Sequence, residues 1–273
     1  MKTKCYWTDS RTAADYVASR RWESLSDADL LGTCHRGNSI WKTTVEPFGE
    51  VVVKKTELDA GFSWFEKIGR EMRLRFFNED LRDAKAALKA EAAGVPTYHP
   101  LAVWNVHKGL GTICYIMYTY VEGVSFHDKW GDGNFAEGER PAIKACLFEL
   151  GGLARKMHDA GLYHRDLVPR NLLVRPDGSL AVIDFASGYP APCLKWTRLR
   201  RTLGMASLRR LAKNFDVDLL ESFSLGFCRG EKGRIYVHVL MMLLFWRYND
   251  LKGTGGIHRL TYWRCLGTAF QIH

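Results

Sequence analysis

The residues best suited to chemistry lie in His164–Asn171, which reads His-Arg-Asp-Leu-Val-Pro-Arg-Asn, and in Asp184, thirteen residues further on. A loop of the pattern His-Arg-Asp-x-x-x-x-Asn supplies a carboxylate that accepts the proton of an attacking hydroxyl, here Asp166. It also supplies a carboxamide that holds a metal ion, here Asn171. The later carboxylate, Asp184, is spaced to bind magnesium bridging the phosphates of ATP. The pattern therefore predicts phosphoryl transfer from ATP.

The elements around these residues are predicted to hold them together. Two apolar runs, 172–174 and 180–183, flank a Pro-Asp-Gly sequence that is typical of a hairpin turn. This hairpin would carry Asn171 at its entrance and Asp184 at its exit, so both metal ligands would emerge at the same end. Upstream, residues 153–161 read as the end of an amphipathic helix that stops at a glycine. Helix, catalytic loop and hairpin follow in the order that a kinase large lobe requires.

The run Met157–Leu167, Met-His-Asp-Ala-Gly-Leu-Tyr-His-Arg-Asp-Leu, resembles the Leu-His-x-x-Gly-x-x-His-x-Asp-Leu run of the bacterial lipopolysaccharide core heptose kinases. These enzymes are part of the protein-kinase-like superfamily. The chain departs from protein kinases in having no Ala-Pro-Glu tripeptide, in Ala186 after Asp184-Phe185, and in Val168 where many have lysine. These departures argue against a peptide substrate and leave phosphoryl transfer intact.

The resemblance implies an α+β, protein-kinase-like bilobal fold in a single domain spanning residues 1–273. A small β-rich N-lobe would cover about 1–118, a hinge 119–123, and a mostly helical C-lobe 124–273. In the hinge, the main-chain atoms of Thr119 and Val121 would bind adenine.

Residues of the N-lobe would contact the phosphates of ATP. The β-branched run 50–55 matches the kinase strand whose lysine pairs with the α- and β-phosphates, and its register assigns that role to Lys54. Lys55 would face the opposite side of the strand. The alternative interpretation, a surface strand that ends in two solvated lysines, also remains open. Before this strand, Gly32, Arg36 and Gly37 lie where a phosphate-covering loop belongs.

The nucleotide lysine also needs an acidic partner on the following helix. The family places this acid about eleven residues before a Gly-Val-Pro turn, and the turn at 94–96 points to Asp83. Glu79 lies one helical turn earlier on the same face and reaches further. Both residues remain candidates, and either could instead be a solvated helix charge.

Composition fits one kinase unit of two lobes. The chain has 273 residues and 47% hydrophobic content, enough for a full core. Seven cysteines without a Cys-x-x-Cys pair indicate neither a disulfide framework nor a zinc site, which suits a reducing cytoplasm. Residues 1–9 lack a signal-peptide core, and the apolar run 235–246 is too short to span a bilayer and reads as a buried helix.

The net charge of +9 is unevenly distributed. The segment 195–213 carries seven Lys or Arg residues and no acid, with apolar residues interleaved. It could bind an anionic membrane face or a phosphorylated lipid-linked sugar, or it could be a solvated helix face packed by its leucines. Nothing in the chain resembles a nucleic-acid recognition module.

Together these features predict a cytoplasmic, membrane-peripheral sugar kinase. It would use ATP and Mg²⁺ to phosphorylate a heptose hydroxyl of the lipopolysaccharide inner core, with the lipid-linked core oligosaccharide as substrate and no obligate protein partner. The kinase chemistry follows from the residues, and the substrate follows from the resemblance. Two alternatives are a protein kinase with a truncated activation segment and a nucleotide-binding scaffold without catalysis.

Overall fold

The computed structural model describes residues 2–25, 30–34, 38–57, 78–108, 111–131, 135–164, 166–185, 189–190, 211 and 214–228. The chain forms two compact units. Unit 1 comprises Met1–Glu91, Thr97–Val121 and Phe185–Ser187, and unit 2 comprises Ala92–Pro96, Glu122–Asp184 and Gly188–His273.

Unit 1 contains a six-stranded sheet in which all neighbouring strands are antiparallel. The strand order across the sheet is β1-β5-β6-β4-β3-β2. The strands are β1 (Lys2–Thr8), β2 (Leu30–Cys34), β3 (Asn38–Val45), β4 (Gly49–Thr56), β5 (Pro100–Lys108) and β6 (Gly111–Thr119).

Each face of this sheet is covered by a helix. On one face, α1 (Arg11–Ser19) and the short 3-10 turn Arg21–Ser24 pack over an aromatic core in which the rings of Trp104 and Tyr115 stack at 5.2 Å. On the other face, α2 (Glu79–Ala92) buries an alanine-rich stripe, and its Ala84 packs with the sheet. The side chain of Asn78 accepts the Leu81 N–H at 3.0 Å, which satisfies one donor at the start of α2.

Unit 2 is built from helices and short strand pairs. Its strands form a three-stranded sheet of order β10-β9-β7 and a two-stranded β11-β8 pair. The elements are β7 (Val124–Ser125), α3 (Phe126–Trp130), α4 (Arg140–Asp159), β8 (Leu162–Tyr163), β9 (Leu172–Val174), β10 (Leu180–Val182), β11 (Tyr189–Pro190) and α5 (Val217–Cys228), with 3-10 turns at Glu137–Glu139 and Pro169–Asn171.

The backbones of α4 and α5 touch where they cross. A Cβ atom added to Gly151 of α4 would lie 2.0 Å from the Phe223 carbonyl oxygen and 2.6 Å from the Phe227 nitrogen. A Cβ atom on Gly226 of α5 would lie 1.8 Å from the Phe148 carbonyl oxygen. Both glycines are therefore required by the close approach of the two helices.

We expect Gly151→Ala to destabilise the protein by about 3 kcal/mol, because the added methyl group has no space unless the helices separate. Gly152→Ala is the matched control, since a Cβ there would lie 4.0 Å from the Gly226 carbonyl oxygen. Alanine at this helix-interior position should stabilise by about 0.5–1 kcal/mol. Urea unfolding of both variants measures the difference, and equal stabilities would contradict the observed crossing.

Several sequence expectations concern features outside the site. In the part of the chain that the structure describes, no helix has both the length and the apolar content needed to cross a membrane. Four of the cysteines, Cys5, Cys114, Cys146 and Cys228, are free thiols. The apolar run 235–246 lies outside the described residues, and so does the basic segment 195–213 apart from Leu211.

Candidate active site

The predicted catalytic loop begins at the end of α4. The helix stops as predicted, with Gly161 at a φ of +69° and its N–H donated to the His158 carbonyl at 3.0 Å. His158 packs between the rings of Tyr163, at 4.9 Å, and Phe227, at 5.3 Å. Burial, together with the positive charge of Arg155, lowers the pKa of His158 to about 3. This histidine of the family-like run is therefore a neutral packing residue.

His164 ties the loop to the hairpin. It is completely buried, its Nδ1 accepts the Asp166 N–H at 3.1 Å, and its Nε2–H donates to the Ile183 carbonyl at 3.2 Å. Burial lowers the pKa of His164, and the Ile183 bond and the charges of Asp184 and Asp166 oppose this only in part. A neutral imidazole thus links the main chain at Asp166 to the residue just before Asp184.

Asp166 and Asn171 are joined through the main chain of the loop. The Asp166 carbonyl accepts the Val168 N–H and the Asn171 side-chain nitrogen, both at 2.9 Å. The carboxylate of Asp166 takes part in neither bond, and the residue is half-buried. Because the amide nitrogen of Asn171 is donated to Asp166, its oxygen is the group that can bind a metal.

The predicted hairpin positions the second metal candidate. Strands β9 and β10 pair with Leu172 opposite Val182, and the Ile183 N–H donates to the Asn171 carbonyl at 3.0 Å. Asn171 and Asp184 therefore lie at the same end of the hairpin. Asp184 adopts a left-handed conformation with a φ of +61°, which is uncommon for a residue with a side chain and clusters at functional sites.

In unit 1, the two adjacent lysines belong to opposite faces of the sheet. Lys54 pairs in register with Ile116, which packs with α2, so Lys54 lies on the α2 face. Lys55 pairs with Tyr115 on the opposite face, where its Nζ forms an ion pair with Glu57. Lys55 also lines a cavity of about 380 Å³ on that face. Only Lys54 shares a face with the helix that carries the candidate acids.

Burial separates the two candidate acids on α2. Asp83 is 1% exposed and its Oδ1 accepts the Tyr98 hydroxyl at 2.5 Å. Glu79 is half-buried. Asp80, which sequence reasoning missed, is 4% exposed and lies on the same stripe as Asp83. Residues 80 and 83 are three positions apart, which places them on one face of a helix, and this spacing could have indicated Asp80 as a buried acid.

Tyr98 is a further residue that sequence reasoning missed. It contacts Phe185, the residue that follows Asp184. Its ring lies edge-on to Phe185 with a centroid distance of 6.2 Å and packs against Tyr118 at 4.4 Å. Both Tyr98 and Phe185 are buried. One side chain therefore connects the Asp83 carboxylate with Phe185 inside unit 1.

The predicted hinge residues end the sheet. Thr119 is the last residue of β6, and the chain passes from unit 1 to unit 2 between Val121 and Glu122. The Thr119 N–H donates to the His99 carbonyl at 2.9 Å.

The phosphate-covering loop is only partly described. Gly32 lies in β2 opposite Ile40 of β3, while Arg36 and Gly37 lie outside the described residues between these strands.

Comparison with known proteins finds a matching family and related kinases. The model of the "Lipopolysaccharide kinase (Kdo/WaaP) family" matches residues 63–216, more than half of the chain. The chain is 30% identical to a 3-deoxy-D-manno-octulosonic acid kinase of Xylella fastidiosa (strain M12) over 147 residues, 50% of this chain and 56% of that protein. It is also 36% identical to CBL-interacting serine/threonine-protein kinase 21 of Arabidopsis thaliana over 90 residues, 32% of this chain and 20% of that protein.

The solved structure of WaaP in complex with acyl carrier protein covers 92% of this chain and 99% of that chain, with a TM-score of 0.57 and 17% identity. This likeness confirms the predicted protein-kinase-like α+β fold. The chain spans about half or less of the length of the curated relatives described above. Because the family model covers more than half of its residues, the chain belongs to the lipopolysaccharide kinase (Kdo/WaaP) family.

Proposed function

We propose that this protein is an ATP-dependent kinase that phosphorylates a sugar hydroxyl of the lipopolysaccharide inner core. The observation that carries the proposal is the hydrogen-bond network of the loop. Asp166 is bonded through its main chain to the side chains of His164 and Asn171. His164 is also bonded to the carbonyl of Ile183, the residue before Asp184. This network holds the main chain at Asp166 next to Asn171 and the end of the hairpin, which supports a joint role for Asp166, Asn171 and Asp184. Membership of a lipopolysaccharide kinase family supports the choice of acceptor.

The proposed mechanism assigns one task to each side chain. Asp166 orients the sugar hydroxyl and accepts its proton as the oxygen attacks the γ-phosphorus, while the bond from that phosphorus to the β,γ-bridging oxygen breaks and ADP leaves. Lys54 neutralises charge on the α- and β-phosphates, and Asp83 is its proposed acidic partner because it is the buried acid of the two predicted candidates. Positioning and charge neutralisation supply most of the acceleration, since phosphoryl transfer needs little covalent work from the protein.

Asn171 and Asp184 would hold Mg²⁺, which neutralises phosphate charge when it is bound. The donor set fits this ion, because Mg²⁺ prefers oxygen ligands and usually takes one or two carboxylates together with substrate phosphates. The hydrogen bond from the Asn171 nitrogen to the Asp166 carbonyl supports the fit, since it uses the amide nitrogen and not the oxygen that would bind the ion.

The acceptor within the inner core has two candidates. The first is heptose, which the resemblance to the heptose kinases implies. The second is 3-deoxy-D-manno-octulosonic acid, which the similarity to a 3-deoxy-D-manno-octulosonic acid kinase supports. In either case the acceptor would be a lipid-linked core oligosaccharide. The basic segment 195–213 supports a peripheral site of action on the cytoplasmic face, where it would meet anionic lipid or core phosphates.

The test is a transfer assay with γ-labelled ATP, Mg²⁺ and three acceptors. These are lipid A bearing only 3-deoxy-D-manno-octulosonic acid, the same glycolipid extended with heptose, and a mixed Ser/Thr/Tyr peptide library. We expect label in a glycolipid, and tandem mass spectrometry then assigns the sugar. Label only in peptides would establish the protein-kinase alternative, and ATP binding without transfer would establish the scaffold. Flotation with anionic and neutral vesicles tests the membrane step separately.

A further inference from the structure

The cavity on the α1 face of the six-stranded sheet has no task in the proposed mechanism. It is lined by residues of four adjacent strands, β3 to β6, and of the 3-10 turn Arg21–Ser24. Its volume of about 380 Å³ is within the range of about 300–1,000 Å³ that is usual for small-molecule sites. Lys54 belongs to the opposite face of the sheet. A ligand in this cavity would therefore not meet the phosphates at Lys54.

Aromatic rings form much of the cavity wall. Trp22 and Tyr115 are 4% and 7% exposed, and their ring centroids lie 4.7 Å apart. The indole N–H of Trp22 donates to the Val17 carbonyl at 3.2 Å, so its ring can offer a ligand only an apolar surface. Trp41 of β3 also lines the cavity. Such a wall suits a ligand that has a flat apolar face.

Two donors of the lining residues have no acceptor. Within the part of the chain that the structure describes, the contacts of Tyr115 are ring contacts and none uses its hydroxyl, and the buried Nε1–H of Trp41 has no partner. Burial, and then the negative charges of Glu57 and Glu23, raise the pKa of Tyr115 to about 12, so its hydroxyl remains a donor at neutral pH. An unpaired buried donor costs free energy, and an acceptor on a ligand would remove this cost.

The charged side chains at the cavity are paired. Arg20 and Glu23 both line it, and the Arg20 Nε–H donates to a carboxylate oxygen of Glu23 at 3.0 Å. Lys55, also in the lining, forms its ion pair with Glu57. All four side chains are partly exposed to solvent. The two pairs carry no net charge, yet they offer both donors and acceptors to neighbouring hydroxyl groups.

We propose that this cavity is a second carbohydrate site, which binds an uncharged sugar ring that does not react. A pyranose has a flat C–H face that can pack on the aromatic wall, and its oxygens can accept from Tyr115 and bond the ion pairs. A phosphate would bring further negative charge close to the carboxylates of Glu23 and Glu57. The inference goes beyond the proposed function, because binding here requires neither ATP nor the Lys54 face.

The experiment titrates the full chain, without ATP, with methyl glucopyranoside and methyl galactopyranoside, and follows the indole N–H resonances by NMR. The resonance that is missing from Trp41→Phe is assigned to Trp41 and reports on the cavity. We expect this resonance to shift, and we expect Tyr115→Phe to raise the dissociation constant about two- to tenfold, the effect of one hydrogen bond. Tyr118→Phe is the matched control, since Tyr118 packs on the opposite face of the same strand, and it should bind like the parent.

Several outcomes would overturn the assignment. An unchanged Trp41 resonance with both glycosides at millimolar concentration would exclude a neutral sugar as the ligand. Tighter binding of the phosphate ester of the same sugar would show an anion site instead. Parent-like binding by Tyr115→Phe would remove its hydroxyl from the site, and equal losses in Tyr115→Phe and Tyr118→Phe would show a general structural effect. Because phosphoryl transfer is not measured, these results leave the test of the proposed function separate.

Discussion

Asp166→Asn is expected to reduce kcat for core-sugar phosphorylation by about 10²–10⁴-fold, the range typical of losing a general base. ATP affinity should remain within a few-fold of the parent value. The amide cannot accept the hydroxyl proton, whereas the loop bonds at this residue described above use its main-chain N–H and carbonyl. Steady-state kinetics with the glycolipid acceptor and calorimetric titration of ATP measure the two quantities.

Asp177→Asn is the matched control for this loss. Asp177 lies at the exposed hairpin turn of the same unit, where its carboxylate accepts the Ser179 N–H at 2.9 Å and the Ser179 hydroxyl at 2.7 Å. Asparagine keeps an acceptor there, so activity should not change. A parent-like rate for Asp166→Asn would remove Asp166 from the mechanism. Loss of ATP binding in Asp166→Asn would show that the Asp166 carboxylate supports the structure of the loop and is not chiefly the proton acceptor.

The catalytic loop and hairpin could be predicted because their determinants are local. Gly161 supplies the left-handed conformation that ends α4, and Gly178 does so in the hairpin turn, with φ values of +69° and +83°. The turn then brings Asn171 and Asp184 to one end through short-range pairing alone. Spacing along the chain is sufficient here because a tight turn directly joins the two paired strands.

Contacts between distant elements could not be predicted in this way. The bond from Tyr98 to Asp83 joins a residue before β5 to a helix, and helical periodicity alone did not distinguish Asp83 from Glu79. Burial distinguishes them, and burial depends on which stripe of α2 meets the sheet. The bond from the His99 N–H to the Thr119 hydroxyl oxygen, at 2.9 Å, is also invisible in sequence, because it depends on how the end of β6 meets the start of β5.

The glycine pair in α4 shows a conflict between local and tertiary preferences. Two consecutive glycines disfavour a helix interior by about 1 kcal/mol each relative to alanine. The helix nevertheless continues from Arg140 to Asp159, because Gly151 allows the backbone of α5 to approach. Helix propensity predicts that Gly151 destabilises α4. The reason for a glycine at this position is visible only in the contact with α5.

Lys54→Met is expected to lower kcat/KM for ATP by about 10²–10³-fold, the loss typical of removing one donor aimed at reacting charge. Methionine retains much of the aliphatic stem, so packing between the sheet and α2 should survive while the charge is lost. Lys55→Met is the matched control, since strand alternation places Lys55 on the opposite face. Steady-state kinetics over a range of ATP concentrations compares the two variants.

The control should retain parent kinetics and lose at most about 1 kcal/mol of stability, because the ion pair between Lys55 and Glu57 is partly exposed to solvent.

Asp83→Asn and Glu79→Gln extend the comparison to α2. The first should follow Lys54→Met in the direction of its kinetic loss, because Asp83 lies on the buried stripe that faces the sheet, and the second should have little effect. Equal and mild losses in both lysine variants would mean that β4 is not the nucleotide strand. A larger loss in Lys55→Met would place the phosphates on the α1 face, where the 380 Å³ cavity lies.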